Sequence, residues 1–259
     1  MITLGIDLGS NTVKAALVLD GSEILAHHVE RTRYDVESVT RRCVAACLDA
    51  SGYSLEQCEK TVATGYGRIS CTMADRNVSE ITCHARGAWY YDHTIRTVID
   101  IGGQDSKVIT LSPAGKMIDF VMNDKCAAGT GRFLEVMARA LDTSLSDLAE
   151  LGRRATSAVS ISNTCTVFAE SEVIGLMARR QPKEDIIAGL HASIAQRVGA
   201  LANRLRITDR VALTGGVALN EGVKEALEET LERKLVVPPA PQVVGAVGAA
   251  LVAAELVAT

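Results

Sequence analysis

The sequence predicts an α/β protein built from two halves of related design, and three observations carry that reading. Strand-like and helix-period segments alternate along the 259 residues. Hydrophobic residues make up 47% of the chain and aromatics only 3%, so Ala, Val, Leu and Ile must do the packing, as where helices are layered on parallel sheets. An internal repeat is the third: GIDLGSNTVKAALVL, from Gly5, and VIDIGGQDSKVITLS, from Val98, share one frame of apolar, Asp, Gly and Lys positions. The repeat places a boundary near residue 96, giving halves 1–96 and 97–259. No Pro- or Ser-rich linker separates them, so they are expected to be tightly connected.

The elements follow in order. ITLGIDLGSNTVKAALVL reads as two strands around a tight turn, and SEILAHHVERTR as a third. Val36, Val39, Val44 and Leu48 have helical spacing and predict a helix over 36–50. TVATGYG is a short strand, helix runs up to Tyr91, and TVIDIGGQDSKVITL is a second strand–turn–strand. The rest is mostly helical, over 130–141, 144–152, 166–180, 183–205 and 220–233, with one strand–turn–helix in RVALTGGVALNEGVKEAL.

Net charge is −4, which leaves no basic surplus to neutralise phosphate backbones, so nucleic acid is not an expected partner. The apolar run VVGAVGAALVAA is too short for a membrane span. MITLGIDLG enters a strand with no basic n-region, so a soluble cytoplasmic protein is expected. Seven cysteines, an odd number with no CxxC, argue against disulfide stapling. Cys43 and Cys47, one helical turn apart, read as core residues, and Cys58, Cys71 and Cys83 have no partner pattern. His27 and His28 read as ordinary strand residues. His84 adjoins Cys83, but neighbours on a helix point in different directions, so a structural role is expected.

Three glycine turns carry the chemistry. DLGSNT begins at Asp7, DIGGQD at Asp100 and LTGGVALN at Leu213. Backbone N–H groups of such turns, here at Gly102, Gly103, Gly215 and Gly216, can approach phosphate oxygens with no side chain in the way. An Asp ending the preceding strand can hold a hydrated Mg²⁺ against the same phosphates, and Ser10 and Lys14 add a hydroxyl and a cation. The third turn lacks the Asp and runs into a helix at Asn220, which suits a contact on the adenosine side. No GxGxxG and no Walker lysine appears, which argues against the dinucleotide and P-loop alternatives.

Cys126, in NDKCAAGTGRF, and Cys165, in ISNTCTVFAESE, each open a helix, where the dipole favours a thiolate and hence a soft metal-ligand role. Two thiolates fall short of the four that a cubane cluster takes. A two-fold dimer would supply the other two.

The three turns resemble the phosphate-one, phosphate-two and adenosine motifs of the actin, sugar kinase and Hsp70 superfamily. That resemblance implies two ribonuclease-H-like halves with Mg·ATP clamped between them. ATGYGR, VIDIGGQD, MNDKCAAGTGRFLEVMA, SDLAELG, TCTVFAESEVI and TGGVALN together resemble the activators of 2-hydroxyacyl-CoA dehydratases, a family that extends to the ATP-hydrolysing subunits of benzoyl-CoA reductase (the BadF/BadG/BcrA/BcrD type). The resemblance spans essentially the whole chain. It implies a homodimer with one [4Fe–4S] cluster at its interface and Cys126 and Cys165 as ligands. ATP would drive the opening of a helix–cluster–helix angle. Ferredoxin or flavodoxin would be the electron donor, and an iron–sulfur dehydratase or reductase component the acceptor. It also implies nucleotide contacts at Ser10, Asn11, Thr12, Val13 and Lys14, with Gly129 and Gly131 where the cluster helix approaches the nucleotide and Gln242 near the adenine. Gln104 and Asp105 are candidates to orient the attacking water. Three alternatives stay open: an ATPase subunit of a benzoyl-CoA reductase or double-cubane-cluster reductase, a cluster-free small-molecule kinase of the superfamily, and a nucleotide-switched binding protein.

Overall fold

A computed structural model describes residues 1–162 and 165–258. Two five-stranded sheets form its frame. In the first, β1 (Ile2–Leu8), β2 (Thr12–Leu19) and β3 (Glu23–Arg31) make an antiparallel meander. On the other side of β1 lie β4 (Cys58–Thr64) and then β5 (Arg76–Asn77), both parallel. The second sheet repeats this plan. Its meander is β6 (Thr97–Ile101), β7 (Ser106–Leu111) and β8 (Met117–Asn123), and its parallel pair is β9 (Val211–Thr214) and β10 (Leu235–Val236). The sequence repeat is therefore a repeat of topology, with β6 and β7 standing for β1 and β2.

Helix α1 (Val36–Ser51) is capped by the Asp35 carboxylate, which accepts from the Ser38 amide at 3.0 Å, and stops at left-handed Gly52. Its apolar face puts Val39, Cys43, Val44, Cys47 and Leu48 into one core with Leu4, Ile6, Val13 and Leu17, so both expected core cysteines are buried. The remaining helices are α2 (Glu80–Tyr91), α3 (Gly131–Ala140), α4 (Leu148–Arg153), α5 (Thr166–Ala178), α6 (Lys183–Ala202), α7 (Glu221–Leu231) and α8 (Val244–Val257).

One expectation needs correction, and two elements were not expected. The helix expected from residue 144 starts at Leu148, because Ser144 spends its hydroxyl on the Asp147 amide and forms a turn. Strand β8 has no sequence signal: it is an edge strand whose exposed Met117, Ile118 and Phe120 break the in–out alternation. The apolar run near the C-terminus is helix α8, whose face is buried nearly all round. It follows the second sheet in sequence yet packs on β1, β2 and β4 of the first, and against α2. Among the described residues no helix is long and apolar enough to cross a membrane.

Glycine makes the α2–α8 crossing possible. A Cβ on Gly248 would run into the Cys83 carbonyl and one on Gly87 into the Val244 carbonyl, so the backbones touch directly. Gly248→Ala is expected to cost about 1–3 kcal/mol by overpacking. That corresponds to a fall in Tm of roughly 2–12 °C by differential scanning calorimetry. An unchanged Tm would refute the close crossing.

Candidate functional site

Strand register builds the site. Asp7 stands opposite Lys14 in the β1–β2 hairpin, and Asp100 opposite Lys107 in the β6–β7 hairpin. Directly opposed residues of an antiparallel pair share a face at about 5 Å. Lys14 Nζ accordingly reaches Asp7 Oδ2 at 2.9 Å, and Lys107 Nζ reaches Asp100 Oδ2 at 3.1 Å. The turn between each Asp and its Lys is the glycine turn expected to hold phosphate.

The second pair sits in a buried network. Lys107 Nζ also meets Asp105 Oδ2 at 2.7 Å and Glu80 Oε2 at 3.6 Å. Asp100 Oδ1 accepts from Thr214 Oγ1 at 2.8 Å, which ties the phosphate-two strand to the strand ahead of the adenosine turn. His84 Nδ1 lies 3.3 Å from the same Oδ1, an ion-pair distance without hydrogen-bond geometry. Burial acts to raise the Asp100 pKa, but His84, Lys107 and Thr214 outweigh it and hold the carboxyl well below the usual range. Burial acts to lower the Lys107 pKa, and Asp100, Asp105 and Glu80 outweigh it and hold the ammonium above its ordinary value. At Glu80 burial wins over Lys107, and the carboxyl is pushed up.

His84 therefore belongs to the site, contrary to the structural role expected of it. Beside it, Gly245 at the start of α8 leaves the space in which His84 and Asp7 come together: a Cβ there would lie 2.9 Å from His84 Nε2 and 3.3 Å from Asp7 Oδ2. Glu80 was missed altogether. Both stand on α2 at i and i+4, so they share a face. That acidic–His spacing on the helix entering the second phosphate strand was the available signal.

The other expected residues divide. Ser10 and Asn11 lie in the β1–β2 loop and Thr12 opens β2, all three half-buried, whereas the Val13 side chain is buried in the first core and leaves only its backbone for a ligand. Gly102 and Gly103 form the β6–β7 loop, and Gln104 is exposed at its tip. Gly131 joins this loop, its amide donating to the Gly102 carbonyl at 2.9 Å, but Gly129 lies against Arg197 and Val198 of α6 instead. Gly215, at φ +87°, rests on the end of β6, where any Cβ would strike the Ile101 carbonyl. Gly216 faces Gln242, whose Nε2 would be 3.3 Å from a Cβ there. Asn220 caps α7, its Oδ1 accepting from the Val223 amide at 3.1 Å. Its Nδ2 is buried with no hydrogen-bond partner among the described residues, an orphan donor beside the adenosine turn.

Cys165 occupies the N-cap position of α5 and is exposed; Thr164 of the same motif lies outside the described residues. Cys126 is half-buried in the segment leading into α3, and its carbonyl accepts from Asn123 Nδ2 at 2.8 Å. Helices α3 and α5 pack together. Burial pushes the Cys43, Cys47 and Cys83 thiols up to about 12, which leaves them inert. Beyond Cys165, α5 exposes Val167, Phe168 and Ile174. Among the described residues no three His, Cys, Asp or Glu side chains of one chain gather into a metal-binding group.

Two sheets of one topology, each with an Asp–Lys hairpin at its glycine turn, have the fold shared by actin-like ATPases and sugar kinases. Residues 4–253 match the BadF/BadG/BcrA/BcrD ATPase family, and the chain belongs to it. The activator of lactoyl-CoA dehydratase from Anaerotignum propionicum is 49% identical over 255 residues, covering 98% of each chain. The crystal structure of the Acidaminococcus fermentans (R)-2-hydroxyglutaryl-CoA dehydratase component A is 49% identical, with a TM-score of 0.97 over all of both chains. The activator of 2-hydroxyisocaproyl-CoA dehydratase from Clostridium difficile, solved with bound ADPNP, is 42% identical with a TM-score of 0.94, covering 99% of this chain and 95% of that one.

The depressed Asp100 pKa makes a prediction about pH. A carboxyl held below its ordinary value adds stability that is present above about pH 4 and lost as pH falls further. The Tm advantage of the wild type over Asp100→Asn is expected at about pH 7 and should shrink progressively below about pH 4. A gap that stays constant on acidification would count against the network.

Proposed function

We propose that this protein is an ATP-dependent one-electron activator that drives low-potential electrons into a partner iron–sulfur 2-hydroxyacyl-CoA dehydratase. One observation carries the reading: paired Asp–Lys glycine turns lie behind α3, whose lead-in segment holds the half-buried Cys126 and which packs on α5, capped by Cys165. No kinase substrate is needed to explain the site, and the relatives named above are dehydratase activators or components.

The residues present suit Mg·ATP. Asp7 and Asp100 are carboxylates ahead of the glycine turns, which fits a magnesium ion that keeps several waters and takes one or two carboxylates. The Gly102–Gly103 and Gly215–Gly216 backbones would receive phosphates, and the orphan Asn220 amide with Gln242 would receive the nucleoside. Asp105 or Gln104 would orient the attacking water. Lys107 would balance the buried carboxylates before nucleotide arrives.

The thiols suit an iron–sulfur cluster shared by two chains. Each chain offers the thiols of Cys126, in the segment ahead of α3, and Cys165, at the cap of the adjoining α5, beside an apolar face on α5 able to meet a second copy. Such a [4Fe–4S] cluster would supply the one-electron chemistry. The chain's own part is mechanical. The β6–β7 loop is hydrogen-bonded to the first turn of α3, so a loop shift on nucleotide binding would move the helix behind Cys126. A ferredoxin or flavodoxin would be the donor, and an odd number of cysteines without a disulfide spacing fits a reducing cytoplasm.

Anaerobic purification tests this reading. About four iron and four sulfide per pair of chains are expected. Cys126→Ser or Cys165→Ser should abolish them, and Asp100→Ala should abolish ATP hydrolysis with the iron retained. A monomeric, iron-free wild type would defeat the proposal.

A further inference from the structure

We propose that Glu135 is a positioning residue that ties the nucleotide cleft to the cysteine-bearing end of α3, acting through Asn11; the inference rests on the ATP-cleft reading above. The β1–β2 loop and the β6–β7 loop touch at Asn11. A Cβ on Gly103 would fall 2.5 Å from Asn11 Cγ, so the Asn11 side chain lies against that glycine. The β6–β7 loop is in turn fixed to α3. The amides of Gly131 and Arg132, first-turn donors with no partner inside the helix, donate to the Gly102 and Gly103 carbonyls at 2.9 and 2.8 Å. Thr130, at the N-cap position, does not compete, because its hydroxyl donates to the Ala127 carbonyl. Loop and helix are therefore one mechanical body.

One turn further along α3, Glu135 Oε1 accepts from Asn11 Nδ2 at 3.1 Å. Its other oxygen is held by Arg132 Nη1 at 3.0 Å, which fixes the carboxylate in place. The acceptor is charged and only 21% exposed, so this hydrogen bond is stronger than an ordinary neutral one. Any separation of the two phosphate loops must stretch it, because α3 moves with the second loop and Asn11 belongs to the first. Glu135 thus senses cleft opening from the same helix whose N-terminal side leads back to Cys126. A nucleotide leaving the cleft has to break this tie.

The test is the release rate of a fluorescent ADP analogue, measured by stopped flow on the whole protein with and without iron. Release from Glu135→Ala and from Asn11→Ala is expected to be about tenfold faster than from wild type, with no further gain in the double variant, since both remove one hydrogen bond. Glu135→Gln keeps an acceptor for Asn11 and should stay near the wild-type rate. Release from Glu135→Ala at the wild-type rate, or a double variant in which the two effects multiply to about a hundredfold, would overturn the tie. So would a Glu135→Gln protein as fast as Glu135→Ala, which would assign the effect to the Arg132 pair. A wild type that binds no ADP analogue would overturn the ATP-cleft reading and the tie with it, whereas tight binding with unchanged release in Glu135→Ala sinks the tie alone.

Discussion

The whole arrangement depends on a cross-strand ion pair placed at the same register in two hairpins. An Asp at the end of one strand and a Lys at the start of the next can meet only if the turn between them closes tightly, and both hairpins close at a glycine turn. In the second half the pair is almost fully buried, at 3% side-chain exposure for both partners. Taking such charges out of water is expensive, and removing one partner would leave the other uncompensated. Asp105, Glu80, Thr214 and His84 supply the compensation, and they come from three places: the loop itself, α2 and β9. The electrostatic need of one lysine thus collects the site from elements far apart in sequence.

Comparing the halves shows where the shared design ends. Between β3 and β4 the first half has α1 and a short connection. At the equivalent place, between β8 and β9, the second half has α3, α4, α5 and α6, with Cys126 and Cys165 among them. The glycine turns proposed for nucleotide belong to the repeated part of the molecule, and Cys126 and Cys165 to the unrepeated part. Their meeting point is the first turn of α3, whose amides are satisfied by the carbonyls of a phosphate loop and not by a side-chain cap.

What the sequence disclosed follows the same division. The glycine turns and Cys165 at the cap of α5 are short-range patterns, carried by residues within a few positions of each other, and they were readable, as was the repeat; Cys126 instead lies five residues ahead of α3, whose cap is Thr130. Gly129 shows the limit of a motif: it stands two residues from Gly131 but faces Arg197, because a left-handed turn at φ +87° rotates the backbone away from the loop. The i,i+4 spacing of Glu80 and His84 put both on one face of α2, but which sheet that face meets is set by packing and is not encoded in the spacing. Strand β8 hid because an exposed edge imposes no alternation on its side chains. Helix α8 showed its apolarity but not its destination, since a helix buried all round has no polar face to say which way it lies.

That destination constrains how the molecule can move. The chain passes between the halves twice, once from α2 into β6 and once from β10 into α8. Near these passages Ile81, Ala85 and Ala88 of α2 and Val244 of α8 share a core with Val98, Ile109, Leu111 and Ala212 of the second sheet. Sliding α2 along α8 is opposed by backbone contact at Gly87 and Gly248, and pulling the halves straight apart would expose that core. Rotation about the two passages costs least, because it preserves the core at the hinge and spreads displacement toward the far edge of the cleft. Asn11 and Glu135 meet across that cleft, away from the shared core, so a rotation too small to disturb the hinge is enough to part them.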